Sequence, residues 1–178
     1  MNNLLLILLA GLVFLVLGTY AVELPFMMNY LEVSDFWRLT LLLGTGTGLT
    51  LATWATLRDR GKNRDIVSRM RQFAALLISS VLLVPLLVSI TNHWLLQRPA
   101  VPQAVVFETE LPRNTSRFGN IPQQHPTADQ YILIFVWNNR LYRVSRDHPY
   151  FPTAQTGDTV TLPIRQGRWG YHWVAETP

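Results

Sequence analysis

The sequence predicts a membrane α-helical protein with three transmembrane helices and a small all-β C-terminal module. That module is expected to hold five short strands in an SH3/OB-like barrel or sandwich. Three observations lead there. Residues 1–95 contain three long apolar runs. A densely basic loop, 57–72, separates the second run from the third. After a proline-containing stalk at 96–103, hydrophobic residues recur at a period of two, the repeat of a strand, through residues 104–178.

The first run, residues 4–22, carries no charge and is long enough to cross a bilayer. A secretory signal peptide is the rival reading. Against it, Met1-Asn2-Asn3 offers no basic residue and no clear small-x-small cleavage site follows before Glu23. Residues 23–36 then read as a short external connector, with Glu23, Glu32 and Asp35 but no Lys or Arg. Its apolar middle, 24–31, suits an interface or another chain.

The second run, 37–56, places Trp37 and Trp54 about 25 Å apart at the helical rise, the spacing of anchors at two membrane interfaces. Between them lies Gly44-Thr45-Gly46-Thr47-Gly48. A phosphate-binding loop would need a preceding strand and a lysine, and neither is present. Gly44, Gly48 and Ala52 instead recur every four residues, a stripe of small side chains on which a second helix packs closely.

The loop at 57–72 contains Arg58, Arg60, Lys62, Arg64, Arg69 and Arg71. Such an excess holds a short loop in the cytoplasm, so the N-terminus is also expected inside and the C-terminal module outside. The third run, 73–94, has Pro85 near its centre, which frees the carbonyl of Val81 and predicts a kink. Ser79, Ser80 and Ser89 are candidate donors to it. His93 reads as an imidazole at the membrane interface. No ionisable residue lies in the middle of any run, so a pump acting alone is not expected.

In the module, Val105, Phe107, Thr109 and Leu111 form one face of a first strand, and residues 131–137 a central strand covered on both faces. Asn138-Asn139 supplies the turn of a hairpin returning through 140–146. Gly157-Asp158 turns into a strand at 160–164, which Pro163 marks as an edge or a bulge. Trp169, Tyr171 and Trp173 alternate on a last strand and are expected to face the core, with His172 and Val174 on the other side.

Four features of the module are candidates for function. The aromatic row is a core or a stacking platform. Arg140, Arg143, Arg146, Arg165 and Arg168, with Phe118, form a candidate binding surface, since guanidinium groups pair with phosphate and carboxylate. His125, His148 and His172 lack metal-ligand spacing. The loop at 112–130 is long for so small a module, as binding loops often are.

The chain has no cysteine, which excludes disulfides, thiolate metal sites and a cysteine nucleophile. No catalytic, metal or cofactor residues are assigned, and no cofactor is expected. The net charge of +4 is concentrated in the orienting loop, so nucleic acid is not an expected partner. The partners expected are membrane lipid, another membrane or envelope protein, and a second copy of the chain. Bacterial inner membrane is the expected location. The module is expected to dock onto another envelope protein or polymer without catalysis. The alternative is an accessory subunit of a membrane enzyme or transporter complex, whose active site a partner completes.

Overall fold

The computed structural model describes residues 3–58, 65–95, 98–114 and 128–175. Three helices precede five strands: α1 (Asn3–Met28), α2 (Val33–Arg58), α3 (Ile66–His93), β1 (Val101–Arg113), β2 (Gln130–Trp137), β3 (Arg140–Arg146), β4 (Thr159–Gln166) and β5 (His172–Val174). The chain divides into two compact units. The helical unit contains α1, α2, α3 and residues Gly167–Gly170, and the β unit contains Asn29–Leu31 and the five strands.

Within the helical unit, α1 and α3 are long and apolar enough to cross a membrane. Helix α2 has the same length as α1, but its glycine- and threonine-rich centre makes it less apolar. Two helices, not three, therefore qualify by length and composition. All three run further than the apolar runs. Helix α1 continues through Glu23 and Pro25 to Met28, so the connector expected at 23–36 shrinks to 29–32. Glu23 stays helical because its carboxylate is buried and bonded rather than solvated. Helix α3 takes in Arg69 and Arg71 from the basic loop, because arginine is a good helix former and its charge leaves the backbone bonds intact. Arg60, Lys62 and Arg64 lie outside the described residues.

Phe36, Thr40, Gly44, Gly48 and Ala52 make the buried stripe of α2. It packs against α3 almost backbone to backbone. A Cβ on Gly44 would come 3.0 Å from Val81 Cα, and one on Gly48 would come 3.0 Å from Leu77 Cα. Gly46, off the stripe, has open space where its Cβ would be. Close approach of this kind is a main source of helix association in lipid, where apolar side chains gain nothing by leaving it. Many of the described large apolar side chains of α1, α2 and α3, among them Phe14, Leu42 and Leu82, are exposed.

The β unit is one antiparallel sheet in the order β3-β2-β1-β4-β5. Asn138 and Asn139 sit at φ 50° and 59° in the two-residue turn between β2 and β3, the backbone that a tight hairpin requires. Val105, Phe107, Leu133, Phe135, Val144, Leu162, Ile164 and Val174 form the core, together with Leu31 from the α1–α2 connector. That connector segment lies along both edges of the sheet. The Asn29 side chain bonds the backbone of Ser145 on β3, and the Leu31 N–H donates to the His172 carbonyl on β5 at 2.9 Å. A five-stranded sheet is thereby nearly closed.

Several sequence expectations are corrected here. Strand β1 begins at Val101, where Val101, Pro102 and Gln103 already pair with β4, so the stalk is shorter than 96–103. A bulge at Glu108 shifts the register between Phe107 and Thr109. One added residue reverses the faces beyond it, which is why Leu111 is exposed. Strand β2 is fully buried on the Leu133/Phe135 face only. Strand β4 is not an edge, since it pairs with both β1 and β5. Pro163 is tolerated because it lies opposite Pro102 and its carbonyl points away from β1, accepting from Ala175. Both prolines thus occupy a pair that exchanges no hydrogen bonds.

The aromatic row is also corrected. Residues 167–170 form a turn rather than a strand, and Trp169 there is 57% exposed. Val174 joins the core instead. Tyr171 and Trp173 pack on Tyr30, with ring centroids 5.8 and 6.2 Å away. Once the strand starts at His172 rather than Trp169, its short length and the closing segment decide which face is covered.

Candidate functional site

Among the described residues, two places combine burial with chemistry: a polar cluster in the helical unit and a groove in the β unit.

The cluster is built by the C-terminal halves of α1 and α3. Glu23, Ser89, Asn92 and His93 are all buried, Glu23 at 2% exposure and His93 at 8%. Ser89 and His93 are four residues apart on one face of α3, which turns both toward Glu23. The Ser89 hydroxyl donates to Glu23 Oε2 at 3.0 Å. His93 Nε2 lies 3.4 Å from Glu23 Oε1, and His93 Nδ1 lies 2.9 Å from the Ser89 carbonyl. Phe26, nearly one turn beyond Glu23, stacks on the imidazole at 4.9 Å and 17°. Tyr20, nearly one turn before it, donates its hydroxyl to the Leu82 carbonyl. Contacts of α1 with α3 thus recur every three residues in its second half, at Tyr20, Glu23 and Phe26.

Serine, histidine and glutamate invite comparison with a nucleophilic triad, and the geometry excludes that reading. In a triad the imidazole takes the serine proton. Here the serine hydroxyl donates to the carboxylate, and the imidazole nitrogens lie against the Ser89 carbonyl and Glu23. Sequence reasoning missed this cluster. His93 is a buried partner of Glu23, and Ser89 bonds the Glu23 carboxylate. The available signal was Ser89 and His93 at i, i+4 facing a glutamate at the end of an apolar run.

Asn92 has a separate role on the same helix. Its backbone carbonyl accepts from Arg168 N–H at 3.1 Å, and its Oδ1 accepts from Trp169 N–H at 2.9 Å. Thr91 Oγ1 accepts from the Trp169 indole at 2.9 Å. The 167–170 turn is thereby fastened to the last turn of α3, and Gly167 faces Asn92 so closely that a Cβ would lie 2.4 Å from it.

The groove, of about 700 Å³, is lined by Phe107, Glu110, Tyr131, Phe151 and Pro152 among others. The bulge in β1 creates it. Glu108 presents its carbonyl to the Thr156 hydroxyl at 2.7 Å. Phe107 exchanges backbone bonds with Gly157 and Asp158, each at 2.8 Å. Glu110 accepts the backbone N–H groups of Tyr150 and Phe151 at 2.7 and 3.2 Å, which fixes Phe151 edge-on to Phe107 at 6.3 Å. Arg146 lies over the Tyr150 ring at 4.6 Å. The result is an aromatic and proline-lined surface whose one carboxylate is already spent on the backbone. With Thr109, Gln155 and Thr156 beside the rings, it suits a mixed apolar and polar contact rather than acid–base chemistry.

The arginines expected to form a surface come from several elements. Arg140 and Arg146 share a β3 face with Tyr142 and Val144, Arg143 projects from the opposite face, and Arg165 belongs to β4. Arg168 belongs to the other unit, and Phe118 and His125 lie outside the described residues. His148 is exposed, while His172 meets Trp137 edge-on at 5.3 Å. Among the described residues no group of His, Cys, Asp or Glu is arranged to hold a metal ion.

Comparison with family models, curated proteins and solved structures finds no match to this chain.

Proposed function

We propose that this protein is a non-enzymatic membrane component that holds its β unit outside the cytoplasm to dock an envelope protein. The observation that carries the reading is the groove beside the β1 bulge, built on an anchored chain. Apolar faces turned outward on α1 and α3 support insertion in lipid. Helix α2 packs along α3 through Gly44 and Gly48, which supports a third crossing beside it despite its lower hydropathy. The charge asymmetry about the α2–α3 loop supports a cytoplasmic loop and an outer β unit in a bacterial inner membrane. Phe107, Tyr131, Phe151 and Pro152 suit an extended apolar segment of a partner.

The test is site-specific photo-cross-linking in cells. A photoreactive residue at Gln155, on the groove, is expected to trap one envelope protein. The same residue at Leu141, exposed on β3, is expected to trap little. Adducts only with polymer, only with a second copy, or equally from both positions would overturn the reading.

The buried Glu23–His93 pair favours a second reading, an accessory subunit of a membrane enzyme or transporter complex. Ionisable groups buried among membrane helices commonly serve such complexes.

A further inference from the structure

The Ser89 carbonyl fixes which nitrogen of His93 carries a hydrogen. A carbonyl oxygen only accepts, so the 2.9 Å contact with the Ser89 carbonyl requires a hydrogen on His93 Nδ1. Nε2 is then the nitrogen that faces Glu23 Oε1 at 3.4 Å. Were Nε2 bare and the carboxylate ionised, lone pair would oppose lone pair where the two side chains are only 10% and 3% exposed. A buried carboxylate without a compensating proton is strongly unfavourable. One proton between Nε2 and Oε1 removes the conflict. Whether it rests on nitrogen or on oxygen, the pair is then electrically neutral, and Ser89 satisfies the other carboxylate oxygen.

We infer that Glu23, Ser89 and His93 form a proton-binding site that holds one proton between imidazole and carboxylate, and that this proton keeps the C-terminal half of α1 on α3. The neighbouring ionisable groups do not replace it. Tyr20 on α1 spends its hydroxyl on the Leu82 carbonyl. Helix α2 and the residue before it carry Glu32, Asp35, Arg38 and Arg58, and the 167–170 turn carries Arg168. None of these is a bonding partner of Glu23, whose partners are Ser89 and His93.

Two measurements test this on the full chain in lipid nanodiscs. The first counts protons by nitrogen NMR of labelled histidine and by the infrared band of a protonated carboxyl, assigned through its loss in Glu23→Gln. The expected result is a hydrogen on Nδ1 plus one proton in total over Nε2 and Glu23. A bare Nδ1, or a total of zero or two, overturns the site. The second places a single cysteine at Met27, fully buried on α1, and follows its modification by a thiol reagent. His93→Phe keeps a ring against Phe26 but strands the carboxylate, and labelling is expected to rise roughly tenfold or more. Adding Glu23→Gln removes the charge and is expected to bring labelling back near the parent rate. No rise in His93→Phe, or no rescue in the double variant, shows that contact and not the proton holds the helix.

Discussion

The side-chain amide of Asn29 lies against the backbone of Ser145, donating to its carbonyl at 3.3 Å and accepting from its N–H at 3.1 Å. A residue from the α1–α2 connector thus gives the edge strand β3 the two bonds that a further strand would supply. An open edge is a pairing hazard, and here the chain covers part of it with its own side chain. Asn29→Ala is expected to destabilise the β unit by about 1–3 kcal/mol, the cost of leaving partly buried backbone groups unmade. Asn29→Asp, which keeps an acceptor but loses the donor, is expected to fall between the two. Hydrogen exchange at the Ser145 amide reads the effect locally.

Gly44 and Gly46 make a controlled comparison on α2. A Cβ at Gly44 meets the α3 backbone at 3.0–3.1 Å, while one at Gly46 meets nothing within 4 Å. Gly44→Ala is expected to lower the resistance of the helical unit to unfolding in denaturing detergent, by about 1–3 kcal/mol as in overpacked cores. Gly46→Ala is expected to be neutral or mildly stabilising, since alanine is the better helix former. The larger change Gly48→Leu is expected to separate the helices, and Leu42→Ala, on an exposed position, to leave them together.

Gly167 and Asn92 are coupled through space. Gly167→Ala forces the Asn92 side chain from its place and with it the acceptor of the Trp169 N–H. The variant is expected to speed exchange at the Trp169 amide. In the Asn92→Ala background the same change is expected to add little, the non-additivity of residues in direct contact.

Phe135 and Trp169 separate core from surface among the aromatics. Phe135 is fully buried and Trp169 is 57% exposed. Phe135→Ala is expected to cost about 3–5 kcal/mol, as other large core aromatics do, a large share of the stability of so small a unit. Trp169→Ala is expected to leave the melt of the β unit close to wild type. Calorimetry of the full chain distinguishes them.

What could be read from the chain followed the range of the interactions involved. Asn138-Asn139 was legible because a two-residue turn is decided by those two residues, and the period-two pattern around Leu133 and Phe135 by a few neighbours. Leu111 was misread because the bulge at Glu108 is decided by partners elsewhere, Thr156 and Gly157 among them. Trp169 was misread for the same reason: its turn is held by Asn92 and Thr91, nearly eighty residues away. Hydropathy also placed the end of α1 too early. Glu23 reads as a boundary when solvated, and only the arrival of Ser89 and His93 makes it a helix interior. The groove left a faint trace in its prolines and aromatics, but nothing local ties Glu110 to the backbone of Tyr150.

The proposed function requires the β unit to lie across the membrane from the α2–α3 loop, and the absence of cysteine makes that directly measurable. Single cysteines are placed at Asn63, in the basic loop, and at Thr153, in the β unit, and intact cells are treated with a membrane-impermeant thiol reagent. Modification of position 153 and protection of position 63 until the membrane is opened is the expected result. Modification of position 63 with protection of 153, or of both positions alike, would contradict it.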